Sequence, residues 1–271
     1  MDKIKIIVAT HKKCDMPIDT MYLPLHVGAA GKKTEDGTPI DFGYTRDDTG
    51  DNISIRNCNF GTQTGLYWAW KNLDAEYKGL VHYRRYFVGS NAKKNDLLNS
   101  VITYDEIEPM LVKYKVFVPK KRHYYIETLY SHYAHTHDER HFKIVEKIIK
   151  KDCPEYLSAY NKVLNRRWGY MFNMMILQKD LMDDYCSWLF NILFQAFEQV
   201  DTKGMSAFDS RFCGRISEIL FDVWLENKIQ TGRVNREEIK ELSYMEDVNW
   251  NYKIKAFLSA KFLHKKYGVS S

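Results

Sequence analysis

The stretch GLVHYRRYF, residues 79–87, constrains this chain more than any other. Gly79, Leu80 and Val81 form a short apolar run with a β-branched residue, the pattern of a strand buried on both faces. With no turn signal between, the chain continues into His82, Tyr83, Arg84, Arg85 and Tyr86. Arginine offers a rigid fork of donors suited to phosphate, and open α/β sheets bind ligands at their strand ends. The alternative is a surface strand end whose arginines pair with carboxylates of the protein itself.

A second strand is expected at Lys3–Thr10 (KIKIIVAT), apolar and β-branched, followed at once by the polar loop His11–Asp15. An opening of this kind is common in nucleotide-binding α/β units and in other folds. Residues 28–52 are rich in Gly, Asp, Thr and Lys and read as a long loop inside the domain. Residues 62–73 predict a helix with Tyr67 and Trp70 on one face, 104–112 a short helix, and Tyr114–Pro119 a strand ended by proline. Residues 122–152 and 154–166 read as helical, 167–177 as a buried strand with its approach, and 181–199 as a long helix. Another helix is expected within 208–227. No repeat or low-complexity linker interrupts the chain, so one domain over 1–245 with a tail over 246–271 is the economical division.

Chemistry is narrowed mainly by exclusion. The net charge of +5 permits a polyanion partner without demanding one. Basic residues are dispersed rather than striped, which argues against nucleic acid. Five scattered cysteines with no CxxC pair fit neither a disulfide framework nor a cysteine zinc site. The start lacks the apolar run of a signal peptide, and no stretch approaches the ~20 apolar residues that span a bilayer. A cytoplasmic protein, soluble or peripheral on the membrane, is expected. His137 and His141 stand four apart as in zinc-binding helices, but the glutamate of that motif is missing. The loop DDTGDN lacks the closing glutamate of a calcium loop. Walker, GxGxxG and GxSxG motifs are absent.

Five segments occur in one order: DTGDNIS (49–55), TGLYWAWKNL (64–73), GLVHYRRYF (79–87), MFNMMIL (171–177) and YCSWLF (185–190). Together they resemble the bacterial capsular and exopolysaccharide glycosyltransferases with an HYRRYF signature, long described only as a domain of unknown function. Some of these are similar to galactofuranosyltransferases. The resemblance runs from Ile4 to about Trp224. It implies an α/β fold of GT-A type: a nucleotide-sugar-binding mixed sheet flanked by helices, single-domain, with a helical C-terminal part.

The same resemblance implies a site. The strand reaching the middle of the cleft in such folds usually ends in Asp-x-Asp, which holds a divalent metal on the donor diphosphate; here it ends His82-Tyr83-Arg84. Arg84 and Arg85 would supply as fixed charge what the metal supplies elsewhere, so no metal and no cofactor are expected. Thr10 and His11 would dock the nucleotide, His26, Val27 and Gly28 would line base or ribose, and Asp51, Asn52 and Asn57 would bond hydroxyls. Asn173 would bring polar atoms to the sugar. For each of these, capping or loop bonding is the structural alternative. Glu218, in a Gly-x-x-x-Glu element, is preferred as the base that deprotonates the acceptor, with Asp209 the other choice and pairing of Glu218 with Arg215 the alternative. His137, Trp168 and Met174 fall on the acceptor side. The implied partners are a UDP-sugar donor, plausibly UDP-galactofuranose used with inversion, and a glycan or lipid-linked acceptor. A different sugar donor such as galactopyranose, or a non-catalytic carbohydrate-binding protein of capsule assembly, stays open at this point.

The segment 251–271 carries five lysines among apolar residues. On a helix these segregate imperfectly, which fits either contact with an anionic membrane or docking on the body of the protein.

Overall fold

A computed structural model describes residues 1–93 and 96–246. Apart from Glu246, the expected basic tail lies outside the described residues.

The strands are β1 (Asp2–Thr10), β2 (Tyr22–His26), β3 (Thr45–Arg46), β4 (Ala75–His82), β5 (Arg85–Phe87), β6 (Val116–Pro119), β7 (Arg122–His123), β8 (Trp168–Gly169), β9 (Met175–Gln178), β10 (Ile239–Leu242) and β11 (Tyr244–Glu246). The α-helices are α1 (Asn57–Phe60), α2 (Gln63–Asn72), α3 (Tyr104–Ile107), α4 (Leu129–Thr136), α5 (Arg140–Asp152), α6 (Leu157–Leu164), α7 (Lys179–Gln199) and α8 (Phe212–Gln230). One mixed sheet runs in the order β10-β6-β9-β4-β1-β2-β3, with β5 joined to β4 and β11 to β5; β7 and β8 form a separate ribbon.

Strand β1 sits at the centre because nearly every residue of it can be buried on both faces. Ile7 and Ala9 face the helical side, packing with Leu25, Leu66 and Leu80 among others. Ile6 and Val8 face the opposite layer with Tyr77, Tyr86, Phe117 and Ile176. This two-residue alternation serves two cores at once. Each fully buried Ile contributes ~1.5–3 kcal/mol, which makes the middle of the sheet the rigid part of the molecule.

Strands β1, β2, β3 and β4 are mutually parallel, and β6 and β10 are parallel to each other. Strand β9 runs against both β4 and β6, so all six parallel strands point one way. Thr10, His26, His82, Pro119 and Leu242 therefore end at one edge, and the turn that feeds β9 lies at that same edge. Open α/β sheets bind ligands there.

Several expectations need correction. The HYRRYF segment is not one strand end: β4 stops at His82, the chain turns at Tyr83–Arg84, and β5 returns antiparallel with Arg85 opposite His82. Residues 122–152 do not form one helix, because β7 pairs with β8 before α4 begins behind the capping box of Thr128 and Ser131. Glu246, assigned to the tail, belongs to β11 and pairs with Arg85 across the β5 ladder. The loop after residue 28 is interrupted by β3, and Asp47 anchors it from inside: this buried carboxylate accepts from Gly28 N (2.8 Å), Ala29 N (3.0 Å), Thr64 Oγ1 (2.7 Å) and Ser54 Oγ. Among the described residues no helix is long and apolar enough to cross a membrane.

Candidate active site

The site is built where β1, β2, β4 and β9 meet the shared edge. The register places Thr10 beside His26 and Ala9 beside His82. Just before β9, Phe172 and Asn173 adopt left-handed backbone, with φ of 79° and 51°. Non-glycine residues there cost on the order of 1–3 kcal/mol each and persist only when their surroundings hold them. Four contacts do so. Asn173 Nδ2 donates to Gly214 O (2.9 Å) and Ser217 Oγ donates to Asn173 Oδ1 (3.1 Å), which fixes the turn to α8. His82 Nε2 lies 2.8 Å from Phe172 O, and the Arg85 guanidinium sits 4.0 Å from the Phe172 ring centroid. A carbonyl only accepts, so Nε2 of His82 carries the proton. Burial, with Arg85 and Arg84 nearby, pushes the His82 pKa down to about 4, so the ring is neutral at pH 7.

Glu218 lies on α8 beneath this turn, with the Phe172 N–H 3.4 Å from its Oε2. Burial raises its pKa, and Arg85, Arg122 and Arg215 oppose the rise. A carboxylate whose proton affinity burial raises and neighbouring cations restrain is suited to general-base work. The pairing of Glu218 with Arg215 that the spacing allowed is not formed. Arg215 turns to Nδ1 of His137 (3.3 Å) and stacks on Phe208 (3.7 Å to the centroid). Desolvation and Arg215 push the His137 pKa down to about 3, leaving Nδ1 as acceptor. Asp209 is exposed and held by Ser206, whose Oγ donates to its Oδ2 (2.6 Å).

The second half of the site is a group of cations around one ring. Tyr83, in the β4–β5 turn, packs edge-on to His11 (centroids 5.5 Å), with Lys12 Nζ at 5.3 Å and the Arg84 guanidinium at 5.1 Å from its centroid. Burial lowers the His11 pKa, and Lys32, Arg211, Arg84 and Lys12 lower it further, so all four cations lie within electrostatic reach of one imidazole. Among the described residues none of the four has a carboxylate ion-pair partner. Like charges gathered without partners repel, and a bound anion relieves that repulsion. Arg215 links the halves, since it feels both Arg211 and Glu218.

The structure thus separates the two arginines of the motif. Arg84 joins the cation group, whereas Arg85 is half-buried in an ion pair with Glu246. His26 is fully buried against Phe42 (centroids 4.4 Å) with neither ring nitrogen hydrogen-bonded. Thr10 is buried, its Oγ1 bonded to Lys12 O (2.7 Å). Val27 is core, its N–H bonded to Thr10 O. Gly28 has φ +66°, and a Cβ there would come within 2.5 Å of Asn57 Cγ. Asn57 is committed to Gly61 O (2.7 Å) and Thr64 Oγ1 (3.0 Å).

Asp51 and Asn52 are not brought to the site. Asp51 is bonded to Asn72 at the end of α2, beside the start of β4 and so at the opposite edge of the sheet. Asn52 closes a turn with Gly50 O and Ser54 N. Met174 is fully buried in the core rather than facing an acceptor. Trp168 stands on β8, away from the cation group, between Lys121 and Arg166. Sequence reasoning missed Lys12, Lys32, Arg122, Arg211 and Phe172; only Lys12, two residues past β1, had a local signal.

Among the described residues no group of three or more His, Cys, Asp or Glu side chains is arranged to hold a metal ion. His132 and His135 instead share Glu127 through their Nδ1 atoms, and His141 Nδ1 meets Tyr133 OH (2.9 Å).

No curated protein matches the sequence. A solved structure, the apo form of the bifunctional glycosyltransferase WbbM, superposes with a TM-score of 0.78 at 28% identity. The match covers 92% of this chain and 46% of that one, so the chain spans about half of the protein it resembles. The likeness is consistent with the GT-A-like sheet and helices expected. A family model described as a domain of unknown function, DUF4422, matches residues 5–229, and the chain belongs to that family.

Proposed function

We propose that this protein is a glycosyltransferase that moves a hexose from a nucleotide-diphosphate sugar to a glycan hydroxyl. The observation that carries the reading is the group of cations Lys12, Lys32, Arg84 and Arg211, without carboxylate partners among the described residues, at the same sheet edge as half-buried Glu218. The likeness to a bifunctional glycosyltransferase supports it. In the reaction, the acceptor oxygen attacks the anomeric carbon of the donor while the bond from that carbon to the diphosphate oxygen breaks. Glu218 takes the acceptor proton, and the diphosphate leaves with the bond's electron pair. The cations stabilise the charge growing on the leaving group; fixed donors of this kind act best where charge develops in the transition state. His82, neutral and donating to Phe172 O, positions the strained turn rather than moving a proton.

The donor we assign is UDP-galactofuranose, with inversion at the anomeric carbon and a growing capsular, exopolysaccharide or O-antigen chain as acceptor. We place the reaction on the cytoplasmic side of the membrane and independent of a divalent ion, because four side-chain cations occupy the role a metal has in Asp-x-Asp enzymes. The test is incubation of the full chain with UDP-galactofuranose, UDP-galactopyranose and UDP-glucose, with UDP release measured with and without chelator. Release from one donor that survives EDTA is expected. No release from any donor and no UDP binding would refute the transferase reading, and loss in EDTA restored by manganese would refute metal independence.

A further inference from the structure

A cavity of about 200 Å³ lies between α8, the edge strand β10 and the β7–β8 ribbon. Its lining carries three cations, Lys121, Arg166 and Arg236, and three carboxylates, Asp222, Glu226 and Glu241, beside the indole of Trp168. Glu226 is paired with Arg166 and with Lys162 (2.6 Å), and Glu241 with Lys121 (2.7 Å). Asp222 differs. It is 1% exposed, its Oδ2 accepts from Tyr170 N (2.9 Å), and its Oδ1 has no hydrogen bond, with Arg166 Nη1 only at 3.9 Å. A buried acceptor left without a donor costs ~1–3 kcal/mol. The arrangement is built rather than accidental, because Gly169 admits the ribbon to Asp222: a Cβ there would stand 2.7 Å from Oδ2.

We propose that this cavity is a saccharide subsite that takes one neutral sugar residue. Lys121 is engaged by Glu241, and Arg166 and Arg236 by Glu226, so no cation of the lining is left over for a phosphate, and a polyhydroxyl ligand suits the site. A sugar hydroxyl, which can both donate and accept, supplies the partner that Asp222 Oδ1 lacks whether or not the carboxyl carries its proton, the fixed cations donate to ring and hydroxyl oxygens, and Trp168 gives an apolar wall. Asp222 follows Glu218 by four residues on one helix, about 6 Å along its axis. Tyr124 feels both carboxylates. The subsite therefore adjoins the proposed base. Its role as the place for a residue of the acceptor glycan rests on the transferase reading, while sugar binding itself does not.

Saturation-transfer NMR on the full chain tests it, with methyl β-D-galactopyranoside, methyl α-D-glucopyranoside and methyl α-L-rhamnopyranoside as probes at millimolar concentration. At least one glycoside should receive saturation. The signal should fall at least fivefold in Asp222→Asn and in Ile229→Trp, which fills the cavity from its lining, and should survive saturating UDP. Circular dichroism establishes that each variant is folded; if Asp222→Asn is not, Ile229→Trp decides. No signal from any of the three probes, a signal unchanged in the folded variants, or displacement by UDP overturns the proposal. Because no turnover is required, a sugar signal in a protein that neither binds UDP nor releases it from UDP-sugars would keep the subsite and remove the transferase.

Discussion

Replacing Asp222 by asparagine changes one proton and almost no shape. The Tyr170 N–H bond can be kept, since an amide oxygen accepts where Oδ2 did. Burial pushes the Asp222 pKa from 3.8 up to about 7, with Arg166 only partly opposing it. Between those values the folded protein holds a proton that the unfolded chain has released, so stability falls as pH rises through the window and is flat on either side. Across roughly three pH units, at 1.36 kcal/mol per unit, the linkage amounts to ~4 kcal/mol, an upper figure for a single buried carboxylate. Asparagine has no such proton. Neutral buried histidines act in the opposite direction. His82 and His137, held down to about 4 and about 3, contribute stability that is present above pH 6.5 and lost as pH falls. Both proteins share those histidines, so the difference between them isolates Asp222. Urea unfolding of wild type and Asp222→Asn at half-unit steps from pH 4 to pH 8 should show the variant gaining steadily on wild type up to about pH 7. A difference constant within ~1 kcal/mol over that range would show that Asp222 is ionised in the folded state and that its orphan oxygen is solvated.

Arg84→Ala and Arg211→Ala should each weaken UDP binding by at least tenfold, read by calorimetry; unchanged affinity in both would remove the cation group from the donor site. Glu218→Gln should leave UDP affinity within a factor of two and lower sugar transfer by at least a hundredfold, and a variant with near-normal turnover would point to another base. Gly28→Ala meets both a positive φ and the Asn57 side chain, so thermal unfolding should show a loss of ~2 kcal/mol or more; a neutral result would mean the loop can move away from Asn57.

Much of the scaffold was legible because its signals are local. The apolar, β-branched run KIKIIVAT and the polar loop after it marked β1 nearly to the residue, and the aromatic face of 62–73 and the aromatic-rich run 181–199 marked α2 and α7. The β4–β5 turn was not legible, since Tyr83–Arg84 contains no glycine, proline or asparagine; β5 is held instead by pairing with β11, 157 to 161 residues onward. That pairing also takes Arg85 into its ion pair with Glu246 and leaves Arg84 in the turn, and no spacing rule reaches so far. Arg211 approaches His11 from the turn before α8 for the same reason. The resemblance implies Asp51 and Asn52 as partners of ribose or sugar hydroxyls, yet α2 carries Asn72, and Asp51 with it, to the far edge. Met174 illustrates a two-residue period: with Asn173 bound to α8, its neighbour points into the opposite core. Position beside a functional residue says little about a strand's next side chain.

The reversed direction of β9 has a further consequence. Because β9 begins at the edge where the parallel strands end, the left-handed turn at Phe172–Asn173 is both part of the candidate site and the device that sets the strand's register, Met175 opposite Leu80. Removing or adding one residue between Gly169 and Met175 would force a choice. Either β9 shifts by one place and exchanges its two faces, sending Ile176 and Leu177 to the wrong cores, or Asn173 leaves Gly214 and Ser217 and the turn over Glu218 opens. The loop after Gly28, running to β3 at the sheet margin, faces no such register choice, and it is tied instead through Asp47, Arg46 and Lys32. Length is therefore fixed on the β9 side, where the frame of the sheet and the candidate site share the same few peptide bonds.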